Sequence, residues 1–130
     1  MSTPFVCVFI AFLLNLLSKG PLALAMSRRP RGYDNKHPRD QEATLEGWGR
    51  RAFAAHHNGF EAFPAFAAAV LIAQISGADA VWSARLALVF VVARTLYLPL
   101  YIFNLDILRS TVWMVGVGAI CGLFLLPFLI

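Results

Sequence analysis

The sequence predicts an all-α integral membrane protein, a single-domain bundle of four spanning helices. Hydrophobic residues make up 59% of the 130 residues and charged residues only 14%, with a mean hydropathy of +0.68. That is too apolar for a soluble domain of this size. Four apolar stretches are each long enough to cross a bilayer core of ~30 Å, which takes ~20 residues of helix. Seven of the eleven Lys and Arg residues fall between Arg28 and Arg51, in one segment between two apolar runs.

The first span runs over about 3–26 and is interrupted by Ser18-Lys19-Gly20-Pro21. Lys19 is near enough to the basic end to snorkel to the interface, and Pro21 is expected to kink the helix. Ala23-Leu24-Ala25 resembles a signal-peptide cleavage site, but no positive charge precedes the apolar run, so a retained span is the better reading. The loop of about 27–50 carries Pro30, Gly32, Pro38, Gly47 and mixed charge, which suits an irregular surface segment. The second span covers about 51–75 and holds His56, His57, Asn58 and Glu61. Ser76-Gly77-Ala78-Asp79-Ala80 is a tight turn, so the third span, about 81–103 with Arg94 inside it, runs antiparallel beside the second. The fourth, about 110–130, has no charge after Arg109.

Orientation follows from the distribution of basic residues. The long loop and Arg109 share one side and only Arg85 marks the other, so the long loop is expected in the cytoplasm with both termini outside it. The same reasoning excludes nucleic acid as the partner of the basic segment. Cys7 and Cys121 lie in apolar runs without CxxC spacing and read as free thiols. His56 and His57 are neighbours pointing about 100° apart on a helix, and no other ligand spacing is present, so no metal site is expected.

Ionisable residues inside spans are costly and are site candidates by default. Arg51, Asn58 and Glu61 fall close to one face of the second helix, and Arg94, Tyr97 and Tyr101 on one face of the third. Glu61 lies roughly 15 Å along its helix from Arg51, and Arg94 roughly 14 Å from the corresponding end of the third. The matching depth predicts a buried Glu61–Arg94 pair, with Asn58, Tyr97 and Tyr101 lining a polar cleft open to the basic side.

Arg51 followed by His56-x-Asn58-x-x-Glu61-x-x-Pro64-x-Phe66, then Ala93-Arg94-x-x-Tyr97-x-x-x-Tyr101 and Arg109, resembles the MAPEG family, the membrane-associated proteins in eicosanoid and glutathione metabolism, and in particular its bacterial-type members. The resemblance covers nearly the whole chain. It implies a homotrimer in a multi-pass membrane location, here a bacterial inner membrane, with glutathione as co-substrate between subunits and no metal. By the same resemblance Asn58 and Glu61 grip the tripeptide, and His56 matches a position that is Gln or His in relatives. Tyr97 and Tyr101 match the tyrosines of the third helix, Arg28 or Arg29 the arginines ending the first, and Arg109 the arginine that stabilises the thiolate. Arg51 has a counterpart of its own, whereas an arginine of conjugating members falls where this chain has Ala54 or Ala55.

Glutathione is an anion, so Arg28, Arg29, Arg51 and Arg109 suit its carboxylates, and a guanidinium beside a thiol raises the thiolate fraction. The implied activity is a glutathione-dependent transferase or peroxidase acting on a lipophilic small molecule that arrives through the membrane lipids. Two other classes compete. One is a non-catalytic lipid-binding or scaffold relative, to which Ala54 points. The other is a small proton-coupled multidrug exporter, which a paired Glu61 disfavours because a paired carboxylate carries protons poorly.

Overall fold

The computed structural model describes residues 1–129; Ile130, the end of the expected fourth span, lies outside the described residues. The described chain is helical with short connections: α1 (Thr3–Leu17), α2 (Lys19–Ser27), α3 (Pro38–Ala43), α4 (Gly47–Ile75), α5 (Ala80–Ile102) and α6 (Asp106–Leu125), closed by a 3₁₀ turn, Leu126–Phe128. Counting α1 and α2 together, and α6 with its 3₁₀ turn, four helical units are long and apolar enough to cross a membrane. The apolar side chains left exposed around the bundle, among them Phe9, Leu16, Leu71, Val92, Met114 and Leu125, suit hydrocarbon and not water.

Helix α4 packs against α1, α2, α5 and α6, while α5 packs most extensively on α6. Small residues make this close approach possible: Ala69, Ala73, Ala87 and Ala119 are buried between helices. They join Cys7, Phe66 and Leu123 in the larger apolar cluster, where the Phe66 and Phe90 rings stack at 3.9 Å between centroids. A smaller cluster of Leu22, Ala25, Met26, Leu45 and Ala52 closes the other end. The layer between the two clusters holds Asn15, Ser18, His56, Asn58 and Arg94.

The turns explain the antiparallel pairing. Gly77, at φ 68°, ends α4 in a left-handed cap whose Ala78 N–H reaches back to the Ala73 carbonyl at 2.9 Å. Asp79 then caps α5 by accepting from the Trp82 N–H at 2.8 Å. Asn104, at φ 60°, performs the same turn after α5, with the Leu105 N–H on the Leu100 carbonyl at 3.0 Å.

The first span is divided at Ser18, within the interruption expected over Ser18–Pro21, while other expectations change. Proline cannot donate to the carbonyl four residues earlier and its ring clashes there, so the disturbance falls in the preceding turn. Arg109 lies in the first turns of α6 and not in the loop, because that helix starts at Asp106; α4 likewise starts at Gly47, ahead of Arg51. The long loop is not irregular throughout. Its helix α3 buries Glu42, only 2% exposed, against Lys19 Nζ at 3.0 Å and Arg39 Nη1 at 3.3 Å, with His57 Nε2 at 3.6 Å. Lys19 therefore holds a carboxylate at the helix end instead of reaching for lipid headgroups. Gln41 fastens the rest of the loop, donating to the Gly32 carbonyl at 2.8 Å and accepting from the Asp34 N–H at 2.9 Å.

Burial alone would push the Glu42 carboxyl up, but the hydrogen bond and charge of Lys19, with help from Arg39, hold it below its ordinary value. A lowered folded pKa means that this stabilisation is complete above the ordinary carboxylate range and is lost as pH falls through the folded value. Unfolding midpoints in detergent should therefore fall between neutral pH and about pH 4. Glu42→Gln should remove that part of the slope and cost about 1–3 kcal/mol at neutral pH, less than a fully buried pair because Lys19 and Arg39 remain partly solvated. An unchanged slope in Glu42→Gln would assign the acid response to other groups.

Candidate functional site

Helices α4 and α5 position the central residues. Arg51 Nε donates to the Ile102 carbonyl at 2.9 Å, Arg94 Nη1 donates to Asn58 Oδ1 at 2.7 Å, and Phe66 stacks on Phe90. These contacts advance along α4 while retreating along α5, which fixes the register of the antiparallel pair. Arg94 thus meets Asn58, one turn nearer the basic loop than the Glu61 to which helix rise matched it.

The expected Glu61–Arg94 pair does not form. Among the described residues Arg94 has no carboxylate within 4 Å, and Glu61 is exposed on the outer surface of α4. Helix rise set Arg94 level with Glu61, but the contact falls one turn nearer the basic loop: Asn58 turns its amide oxygen to Arg94, while Glu61 stays exposed and makes no ion pair with it. A neutral dipole therefore takes the place of the anion, and the premise that disfavoured the exporter reading, a paired Glu61, falls with the pair.

From Arg94 a row of side chains continues toward the α5–α6 turn. The guanidinium lies over the Tyr97 ring at 4.1 Å, Tyr97 meets Tyr101 edge-on at 5.6 Å, and Arg109 covers the Tyr101 ring at 4.5 Å. Each cation sits against an electron-rich aromatic face, worth about 0.5–2 kcal/mol depending on solvation. Tyr97, Tyr101, Arg109, Ser110 and Trp113 line an open pocket of about 250 Å³ on the outside of the subunit. Arg109, like Arg94, has no carboxylate within 4 Å among the described residues. The row Asn58–Arg94–Tyr97–Tyr101–Arg109 is thus a cationic and aromatic surface with its positive charge unneutralised, suited to an anion.

The other sequence-predicted residues lie elsewhere. Arg28 covers the Trp48 ring at 5.7 Å and Arg29 Nη2 donates to Thr44 Oγ1 at 3.2 Å, both on the exposed loop side. Arg51 is engaged by the Ile102 carbonyl. His56 Nδ1 lies 2.6 Å from the Ser18 hydroxyl, which donates to the Asn15 carbonyl at 2.6 Å. With its one proton spent, the hydroxyl can only accept from the ring, so Nδ1 carries the hydrogen. Asn15, Ser18, Arg39 and Glu42 escaped sequence reasoning. Lys19 signalled that an acid must be near, but Asp34, Asp40, Glu42 and Glu46 all lie in the loop and spacing could not choose among them. Among the described residues no group of three or more His, Cys, Asp or Glu side chains is placed to hold a metal ion.

The fold defines a multi-pass integral membrane protein, with a cationic and aromatic face near one end of its bundle. The chain belongs to the MAPEG family, whose model matches residues 3–129. Searches of curated proteins and of solved structures gave no match.

Asn58 and Arg94 should be energetically coupled. Asn58→Ala leaves a guanidinium without its acceptor and should cost about 1–3 kcal/mol, and the Asn58→Ala/Arg94→Leu double variant should cost less than the sum of the two singles by about 0.5–3 kcal/mol. Glu61→Gln combined with Arg94→Leu should be close to additive. Unfolding titrations in mixed micelles measure both cycles, and the opposite ranking would restore the Glu61–Arg94 pair.

Proposed function

We propose that the protein is a membrane-bound, glutathione-dependent transferase or peroxidase acting on lipophilic electrophiles. The observation that carries the reading is the row from Asn58 to Arg109, which ends in an open pocket beside Trp113. Family membership supports glutathione-related chemistry in a membrane. In this reading Asn58, Tyr97 and Tyr101 hold the tripeptide, and Arg94 supplies charge from behind. Arg109, with no carboxylate within 4 Å among the described residues, stabilises the thiolate. A guanidinium beside the sulfur lowers its pKa, and the thiolate then attacks an electrophilic carbon, forming a carbon–sulfur bond as the leaving group departs. In the peroxidase variant the thiolate attacks a peroxide oxygen and the oxygen–oxygen bond breaks.

The site is completed in a homotrimer. Glu61 is exposed on a helix that crosses the membrane, and a carboxylate facing acyl chains costs a few kcal/mol. A neighbouring subunit that covers Glu61 and the half-exposed Asn58 removes that cost and brings a further set of polar groups, such as the neighbour's Arg28, Arg29 and His56, toward the same anion. Ala65 beside Glu61 is exposed and permits close approach. The long basic loop lies in the cytoplasm and the membrane is a bacterial inner membrane.

One observation favours a second reading, a non-catalytic lipid-binding or scaffold relative. Ala54 stands where conjugating relatives carry an arginine, and the nearby Arg51 is already engaged by the Ile102 carbonyl.

Arg109→Ala should lower turnover ten-fold or more with a smaller effect on glutathione affinity, since its charge acts on the ionised sulfur. Asn58→Ala and Tyr97→Phe should chiefly weaken binding, because amide and phenol serve ground and transition states alike. Thiolate absorbance in the ultraviolet on mixing with glutathione reads the first effect directly. Wild-type protein that shows saturable binding but no thiolate would favour the scaffold reading.

Native mass spectrometry in detergent should find three chains, and Glu61→Leu, which removes the charge that the interface covers, should loosen the trimer and alter thiol affinity. A monomer as the only species would refute the assembly.

A further inference from the structure

At the break between α1 and α2 lies a half-open cavity of about 60 Å³ lined by Asn15, Ser18, Gly59, Arg94 and Tyr97, together with the exposed Leu17 and Thr95. A water needs roughly 10–15 Å³ by the same measure, so the space admits a small ion with its residual waters. Gly59 keeps it open: a Cβ at that position would sit 2.5 Å from Asn15 Oδ1 and 3.6 Å from Arg94 Nη2.

The lining has donors and no anion. Asn15 is 7% exposed, and its amide nitrogen is buried without any hydrogen-bond partner. Leaving such a group unpaired costs about 1–3 kcal/mol, and native interiors rarely tolerate it. Arg94 spends one N–H on Asn58 and has no carboxylate within 4 Å among the described residues. Ser18 offers no hydrogen either, since its own goes to the Asn15 carbonyl. Water would satisfy the Asn15 amide but would leave the guanidinium uncompensated between two apolar clusters. An acceptor with negative charge satisfies both.

We propose that this cavity binds a small monovalent anion of halide size, held by the Asn15 amide and the Arg94 guanidinium. The cavity shares Arg94 and Tyr97 with the outer row but is not lined by Tyr101 or Arg109, and Asn15, which the outer row does not use, distinguishes the two. The anion neutralises Arg94 within the bundle, and it joins α1 to α5 through a charge-assisted contact that the protein atoms alone do not make.

The test is the unfolding midpoint of the detergent-purified protein at constant ionic strength, with gluconate replaced stepwise by bromide. Wild type should gain stability saturably as bromide fills the site. Asn15→Asp places a carboxylate beside Arg94 and supplies the anion from the chain itself. That variant should unfold above wild type in gluconate and should not respond to bromide. Asn15→Leu, which removes the stranded amide, should fold and lose the response as well. Crystals grown in bromide should show an anomalous peak between the Asn15 amide nitrogen and the Arg94 guanidinium. A bromide response that survives in Asn15→Asp, or water alone at that place in the bromide crystals, overturns the proposal.

Discussion

A guanidinium inside an apolar bundle is the constraint on which the middle of this structure depends. Arg94 cannot be deprotonated at any ordinary pH, so its charge has to be solvated by the protein itself. Asn58 supplies an oxygen from α4 and the Tyr97 face supplies π electrons from the next turn of α5. Neither is an anion, and the charge remains. A buried ion pair would have cancelled it at a desolvation cost that the attraction repays only with excellent geometry. Solvating the cation with dipoles instead leaves a positive field that reaches both the half-open cavity and the outer row of tyrosines. Arg109 adds to that field at the far end of the row, where its seat on the Tyr101 ring leaves the guanidinium without a carboxylate partner.

The polar layer is tolerable because apolar clusters close it on both sides. Toward the turn between α4 and α5, alanines let three helices approach until Phe66 and Phe90 stack face to face. Toward the basic loop, Leu22, Met26 and Leu45 seal the second cluster, and α3 docks over it through Glu42. That carboxylate is buried yet ionised because Lys19 and Arg39 both reach it, so the loop helix is held by charge where it has too few residues to be held by a core. The break at Ser18 belongs to the same arrangement. It frees backbone at the level of His56, and the Ser18 hydroxyl closes the gap by bridging the Asn15 carbonyl and the imidazole.

Periodicity and rise made much of this legible. The four spans and the antiparallel pairing of the second and third follow from residue spacing and 1.5 Å per residue, which also brought Arg94 to within a turn of the Asn58 it contacts. The grouping of Arg94, Tyr97 and Tyr101 follows as well, since residues three and four apart share a helix face. What spacing could not supply was azimuth. Asn58 and Glu61 are three residues apart and about 60° different in direction, and that angle sends one to Arg94 and the other outward. Charge alone favoured Glu61; the orientation of α4, set by Ala55, Gly59 and Phe66 burying the opposite stripe, favoured Asn58. The partner of Lys19 was illegible for another reason. A loop with several acids offers equal candidates until a short helix selects one face, and six residues carry too little periodicity to reveal that face in advance.

Exposure has opposite meanings on the two kinds of surface this chain presents. An exposed leucine on α6 is at home in hydrocarbon, whereas exposed Glu61 on α4 is not. The apolar exterior therefore needs no partner, while the stripe of Asn58, Glu61, Tyr101 and Arg109 does. Three helices share that stripe, so a surface that covers it has to span α4, the end of α5 and the start of α6 at once. A neighbouring bundle presents such a surface and a single lipid chain does not. In the proposed trimer the charge that destabilises the isolated subunit in a membrane is the charge that selects its partner, and the interface forms where the anion is to be held. The same economy explains why Arg94 is left without a carboxylate. Had Glu61 turned inward to neutralise it, the outer stripe would have lost the acid that the proposed trimer covers and the inner layer the charge that the proposed anions answer.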